Sequence, residues 1–285
     1  MSGYRRTTVA VPGGDLTVGI WGEGTPSVLA VHGITGSHLA WGPAAGRFAA
    51  AGGALAAVDL RGRGRSGALP GPYGMAAHAR DCAAVLDALG MDRAVVAGHS
   101  MGGFVSLVLG DLHPDRVERI VLVDGGPPLP VAPGRTPAEQ VADTIGPAAA
   151  RLRMRFADLE ANRDFWRAHP AFTVWTPAIE SYVDYDMTGE EPELRSRVSL
   201  DAVTEDSADL LTGDALAGAW RRLHRPAEML RAGRGMLDQP VPLYPDPAPI
   251  AERVPVRTLP DANHYTILLA DGPAAEVAAA LSRPA

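Results

Sequence analysis

The sequence predicts an α/β protein built on a mostly parallel sheet that is covered by helices on both faces. Three observations carry this. Short apolar strand-like runs alternate with helix-like stretches through the first 125 residues. Gly and Pro punctuate the joints between them. Near the middle of that region an apolar run ends in Gly98-His99-Ser100-Met101-Gly102 and leads straight into a helical pattern.

In order along the chain, Thr7–Val11 and Asp15–Trp21 read as an antiparallel hairpin about Pro12-Gly13-Gly14. Four strands follow at Ser27–Val31, Ala54–Val58, Arg93–Ala97 and Arg119–Val123. Helix-like stretches near Trp41–Ala51, Met75–Leu89 and Met101–Leu112 separate them, a spacing that favours parallel neighbours. The pattern then breaks. Residues 126–225 are helix-like, interrupted by proline and rich in aromatics, without a convincing strand, and read as an inserted helical cap between core segments 1–125 and 226–285. Strand-like Ala227–Leu230 and Val254–Leu259 resume the sheet, and Pro273–Leu281 closes the chain as an Ala-rich helix.

Composition narrows the chemistry. All 26 basic residues are arginine, so Schiff-base catalysis, pyridoxal phosphate attachment and a Walker-type phosphate loop, which need a lysine amine, are excluded. The net charge of −7 argues against a nucleic-acid partner. No stretch reaches the length of a membrane span and no signal peptide is visible, so a cytoplasmic location is the expectation. The single cysteine, Cys82, excludes an internal disulfide and reads as core filler. The eight histidines show no zinc spacing, and neither a metal nor a cofactor is expected.

Ser100 is the expected nucleophile. A strand turning sharply into a helix lifts its hydroxyl clear of the backbone and sets helix N–H groups beside the place where an oxyanion forms. His264, in the polar loop Pro260-Asp261-Ala262-Asn263-His264-Tyr265 after the last strand, is the expected base. His99 reads as a packing or orienting residue, and His38, His78, His113, His169 and His224 as surface or cap residues. Two aspartates could orient the base: Asp238, 26 residues before His264, is preferred, with Asp124 at the end of the fourth parallel strand as the alternative. The loop Val31-His32-Gly33-Ile34-Thr35-Gly36 offers the Ile34 amide as a second oxyanion donor beside Met101. Gly62-Arg63-Gly64-Arg65-Ser66-Gly67 matches the dinucleotide fingerprint, but the Pro-rich stretch after it cannot open the helix such a site needs.

Together, His32-Gly33-x-x-Gly36, Asp59-x-Arg61-Gly62-x-Gly64-x-Ser66, Gly98-His99-Ser100-Met101-Gly102-Gly103 and the late His264 resemble the α/β-hydrolase superfamily. Their wording and order are similar to its capped serine esterase, C–C hydrolase and cofactor-free haloperoxidase branch. The resemblance implies an eight-stranded sheet, a helical cap after the sixth strand, the nucleophile after the fifth, the acid after the seventh and the histidine after the eighth. It therefore implies Ser100, Asp238 and His264 as a triad, with Ile34 and Met101 at the oxyanion. The acid loop Gly235-Met236-Leu237-Asp238 departs from the usual form. The expected activity is cleavage of a small apolar ester or lactone through an acyl-enzyme. Aromatics of the insert (Phe165, Trp166, Phe172, Trp175, Tyr182 and Tyr185) and Trp41 are candidates to line its pocket, though such a cluster also serves as cap core. A C–C bond hydrolase of a diketone-like substrate is the alternative within enzymes, and a non-hydrolytic ligand-binding protein on the same fold the alternative outside them.

Overall fold

In the computed structural model the described residues are 3–284, apart from 130–132, 137, 140–141, 143–145 and 147–149. Part of the expected insert, within 130–149, therefore lies outside them.

The hairpin forms as the turn chemistry requires. Strands β1 (Tyr4–Val11) and β2 (Gly14–Trp21) pair antiparallel, with Val11 opposite Gly14. Strands β3 (Val28–Val31), β4 (Leu55–Val58), β5 (Ala94–His99) and β6 (Val117–Val123) are short and largely buried, the last apolar from Ile120 onward, as two-sided burial demands. Alternate residues go to opposite faces. Leu29, Val31, Ala56, Val58, Val96 and Leu122 join one core cluster. Val28, Ala30, Leu55, Ala57, Val95, Ala97 and Val123 join the other.

Between these strands lie helices α1 (Gly42–Ala50), α2 (Met75–Ala88) and α3 (Met101–Leu112). The stretch after β6 carries α4 (Leu159–Arg167), α5 (Pro177–Tyr185), the paired two-residue strands β7 (Met187–Thr188) and β8 (Arg195–Ser196), α6 (Leu200–Thr212) and α7 (Asp214–Arg222). Asp158, Thr176 and Ser199 cap the starts of α4, α5 and α6 by accepting amide hydrogen bonds. Helix α7 packs along α3, and its Leu216 and Ala219 belong to the sheet's own core. Strands β9 (Ala227–Ala232) and β10 (Val256–Leu259) then complete the sheet, and α8 (Asp271–Leu281) packs against α1. Strand β10 starts two residues later than its apolar pattern suggests, after Pro255.

The eight-stranded sheet has the order β1-β2-β4-β3-β5-β6-β9-β10. Only the β1–β2 and β2–β4 pairings are antiparallel. This order sets the ends of β5, β6, β9 and β10 side by side at one carboxyl edge, where an open α/β sheet presents its site.

The stretch after β6 is joined to the sheet by buried polar groups that the sequence alone underestimates. His38 and His78, expected at the surface or in the cap, are fully buried. His38 donates from Nδ1 to Asp59 at 2.8 Å, and Tyr185 from α5 donates to the other Asp59 oxygen at 2.7 Å. His78 donates to Asp206 of α6, which also lies 2.6 Å from the Arg63 guanidinium. The glycine-rich fingerprint thus serves structure: Arg63 docks the insert, and Ser66 accepts the Thr17 amide at 2.9 Å. Among the described residues no helix is long and apolar enough to cross a membrane. Cys82 is buried, and burial pushes its thiol up, away from the reactive thiolate.

Candidate active site

Strand β5 runs to His99, so Ser100 is the first residue past the sheet edge and α3 starts at the next. Ser100 holds φ 53° and ψ −124°, a strained conformation for a residue with a Cβ. The turn fits only because its flanks lack side chains. A Cβ on Gly98 would stand 2.1 Å from the Gly102 carbonyl oxygen, and one on Gly102 would stand 2.1 Å from that of Val31. This tightness presses the elbow against the end of β3, so the loop that follows β3 lies beside Ser100.

That loop is fixed by His32. Its Nδ1–H donates to Gly33 O at 2.7 Å while Nε2 accepts the Leu60 amide at 3.0 Å, which requires the neutral imidazole. Burial pushes its pKa down to about 4, consistent with that state. The Ile34 and Met101 amides take no part in the turn and side-chain hydrogen bonds of the described residues. Ile34 lines the same pocket as Ser100, and Met101 is the residue that follows it.

His264 follows β10 and lines the same pocket as Ser100. Its backbone carbonyl accepts from His99 Nε2 at 2.8 Å, and the two rings lie 4.7 Å apart. His99 is held well below the ordinary imidazole range, first by burial and then by His264, so it orients without carrying charge.

The partner of His264 is Asp124. Its Oδ2 accepts from His264 Nδ1 at 2.7 Å, and its Oδ1 accepts the Ala232 amide at 3.0 Å. Asp124 is fully buried. Asp238, the residue preferred from sequence, is not brought to the imidazole. Its carboxylate is held by Arg234 at 2.7 Å and by Asn263 at 3.2 Å, and the Arg234 hydrogen bond holds it below the usual carboxylate range. The physical reason is the position of each on its strand. Asp124 directly follows β6, beside β5 and β9, whereas Asp238 lies six residues past Ala232 in an outer loop.

The pocket is walled by Ala40, Tyr182, Met236, Tyr265, Leu268 and Leu269 beside Ser100, His264 and the β3 loop. Of the sequence-nominated aromatics Tyr182 is part of this wall, while Phe172 packs with Ile179 and Val183 in the insert. Trp41 is buried in the sheet core, and Tyr185 is engaged with Asp59. Among the described residues no group of His, Cys, Asp and Glu side chains could hold a metal ion.

Comparison with known proteins agrees with this architecture. A family model described as alpha/beta hydrolase fold matches residues 26–159. The candidate carbamate hydrolase RutD of Azorhizobium caulinodans is 40% identical over 111 residues, covering 39% of this chain and 41% of that protein. The chain spans about two fifths of the length of the curated relatives it matches. Among solved structures, E-2-(acetamidomethylene)succinate hydrolase superposes with a TM-score of 0.80 at 22% identity, covering 98% of both chains. The N-formylmaleamic acid deformylase from Pseudomonas putida S16 gives a TM-score of 0.67 at 22% identity, covering 98% of this chain and 100% of its own. Sheet order, serine elbow and family model coincide, and the chain is an α/β-hydrolase-fold protein.

Proposed function

We propose that this chain is a serine hydrolase that transfers an acyl group from an ester or lactone to water through Ser100. The observation that carries this reading is the buried Asp124–His264 hydrogen bond facing the same pocket as a strained serine elbow. With Nδ1–H committed to Asp124, His264 keeps Nε2 as its basic nitrogen. Nε2 takes the Ser100 proton as Oγ attacks the acyl carbonyl, and the Ile34 and Met101 amides stabilise the oxyanion. The imidazolium then protonates the departing alkoxide, leaving the acyl group on Ser100. Water enters, gives its proton to Nε2 and attacks the acyl-enzyme. Collapse returns the proton to Ser100 and releases the acid. Asp124 stabilises the transient imidazolium and stays ionised throughout.

A second leaving-atom chemistry is favoured by one observation. The relatives and neighbours above include a candidate carbamate hydrolase and a deformylase, so an acyl–nitrogen bond fits the same machinery. Hydrolysis of p-nitrophenyl acetate beside p-nitroacetanilide, whose leaving atom is nitrogen, separates the two. Ser100→Ala should lower turnover of either by about 10⁴-fold or more. Turnover that survives Ser100→Ala would remove the nucleophile from the mechanism, and saturable binding without turnover would favour a ligand-binding protein.

A further inference from the structure

We propose that a polar recess adjoining this pocket is a subsite for a carboxylate on the acyl part of the substrate. The proposal rests on the serine-hydrolase reading for its orientation and deepens it. Thr35, Gly36 and Tyr182 line both the pocket and the recess, so the two adjoin across the loop after β3. The main pocket walls are chiefly apolar. The recess adds Ser37, Arg151, Trp166 and Asp186.

Three features of that set point to an acceptor ligand. Ser37 Oγ and Trp166 Nε1 are buried polar atoms with no hydrogen-bond partner among the described residues. Each such orphan costs about 1–3 kcal/mol, which favours sites where a ligand supplies the partner. An indole N–H only donates, so the missing partner of Trp166 is an acceptor. Arg151, a second donor-only group, is 6% exposed and lies 5.1 Å over the Trp166 ring. The acceptor already present is Asp186. One of its oxygens takes Arg151 Nη1 at 2.9 Å and the other takes Ser196 Oγ at 2.9 Å. Asp186 offsets the charge of Arg151 but also anchors the guanidinium, a fork whose planar geometry matches a carboxylate. A ligand oxygen reaching this recess enters a lining that holds a hydroxyl, an indole N–H and a fixed arginine.

The test compares the mono-p-nitrophenyl ester of glutaric acid with p-nitrophenyl valerate, a neutral chain of equal length. Wild-type protein should favour the glutarate ester at least tenfold in kcat/KM, and Arg151→Met should bring that ratio to near one. A ratio near or below one in the wild type, or a ratio unchanged in Arg151→Met, would overturn the subsite. Because the readout is a ratio within one preparation, general loss of active protein does not move it. Trp166→Phe, which removes the N–H and keeps a ring, should lower the ratio several-fold if Arg151→Met does not fold. Binding of free glutarate to Ser100→Ala protein, followed by tryptophan fluorescence with glutaramide as the neutral control, keeps the two readings apart. Glutarate binding with neither ester hydrolysed by the wild type would keep the subsite and sink the hydrolase reading. Hydrolysis of both esters without selectivity would do the reverse, and a preference for glutaramide would replace the carboxylate by a neutral acceptor.

Discussion

The turn after β6 and the loop after β9 each hold an aspartate at positive φ, Asp124 at 46° and Asp238 at 61°, yet their surroundings differ completely. Asp124 is sealed from solvent and divides its oxygens between the Ala232 amide and the His264 imidazole. The Asp238 side chain is 25% exposed and is paired with Arg234, with Asn263 as a further donor. What separates them is distance from the sheet edge. A carboxylate one residue past a strand lying between the strands that lead to Ser100 and His264 faces the imidazole. One in an outer loop is free to find a surface arginine. Sequence order, Ser…Asp…His, is satisfied by both and so does not choose.

The largest effect that could break this contrast is Asp124→Asn. It retains the shape and removes the charge that fixes the imidazole tautomer, and should lower kcat by about 10³–10⁴-fold in an ester assay. A loss under tenfold would move the orienting role elsewhere. A second effect concerns the buried edge itself. Burial holds His32 at about 4, below the ordinary value of 6.5, so the unfolded chain binds more protons between those limits. Its share of stability is present above the unfolded pKa and is lost as pH falls through that window, on the order of 3 kcal/mol in all. Denaturant unfolding between pH 7 and pH 4.5 should show this slope, and His32→Gln should reduce it, leaving the share of the likewise depressed His99; an unchanged slope would assign the pH dependence to other groups. Smallest is Asp238→Asn. The Arg234 pair is partly solvated and of little worth, so kcat should change by less than about threefold and stability by under about 1 kcal/mol. A large kinetic loss there would restore Asp238 as the acid.

Much of the fold was legible because two-sided burial writes itself as continuous apolar runs, and Val28–Val31, Leu55–Val58 and Ile120–Val123 are of that kind. The elbow was legible because glycines at 98 and 102 answer a close backbone approach. The acid was ambiguous for a physical reason: which carboxylate reaches an imidazole depends on strand adjacency, and sheet order is not written in the chain. The signal that favours Asp124 is local, an aspartate ending the apolar run Ile120–Val123 and followed by Gly125 and Gly126. Buried His38 and His78 were missed because their partners, Asp59 and Asp206, lie 21 and 128 residues away. Nor could the joining of Arg151 and Ser37 in one recess be read from residues so far apart in sequence.

The rate at which a fluorophosphonate modifies Ser100, followed by intact mass in the wild type, Asp124→Asn and Asp238→Asn, separates the two aspartates. One label on Ser100, a similar rate in Asp238→Asn, and a rate lower by at least about 100-fold in Asp124→Asn are expected. Equal labelling in Asp124→Asn with the loss falling on Asp238→Asn, or a label at any residue but Ser100, would contradict the roles given to Ser100 and Asp124.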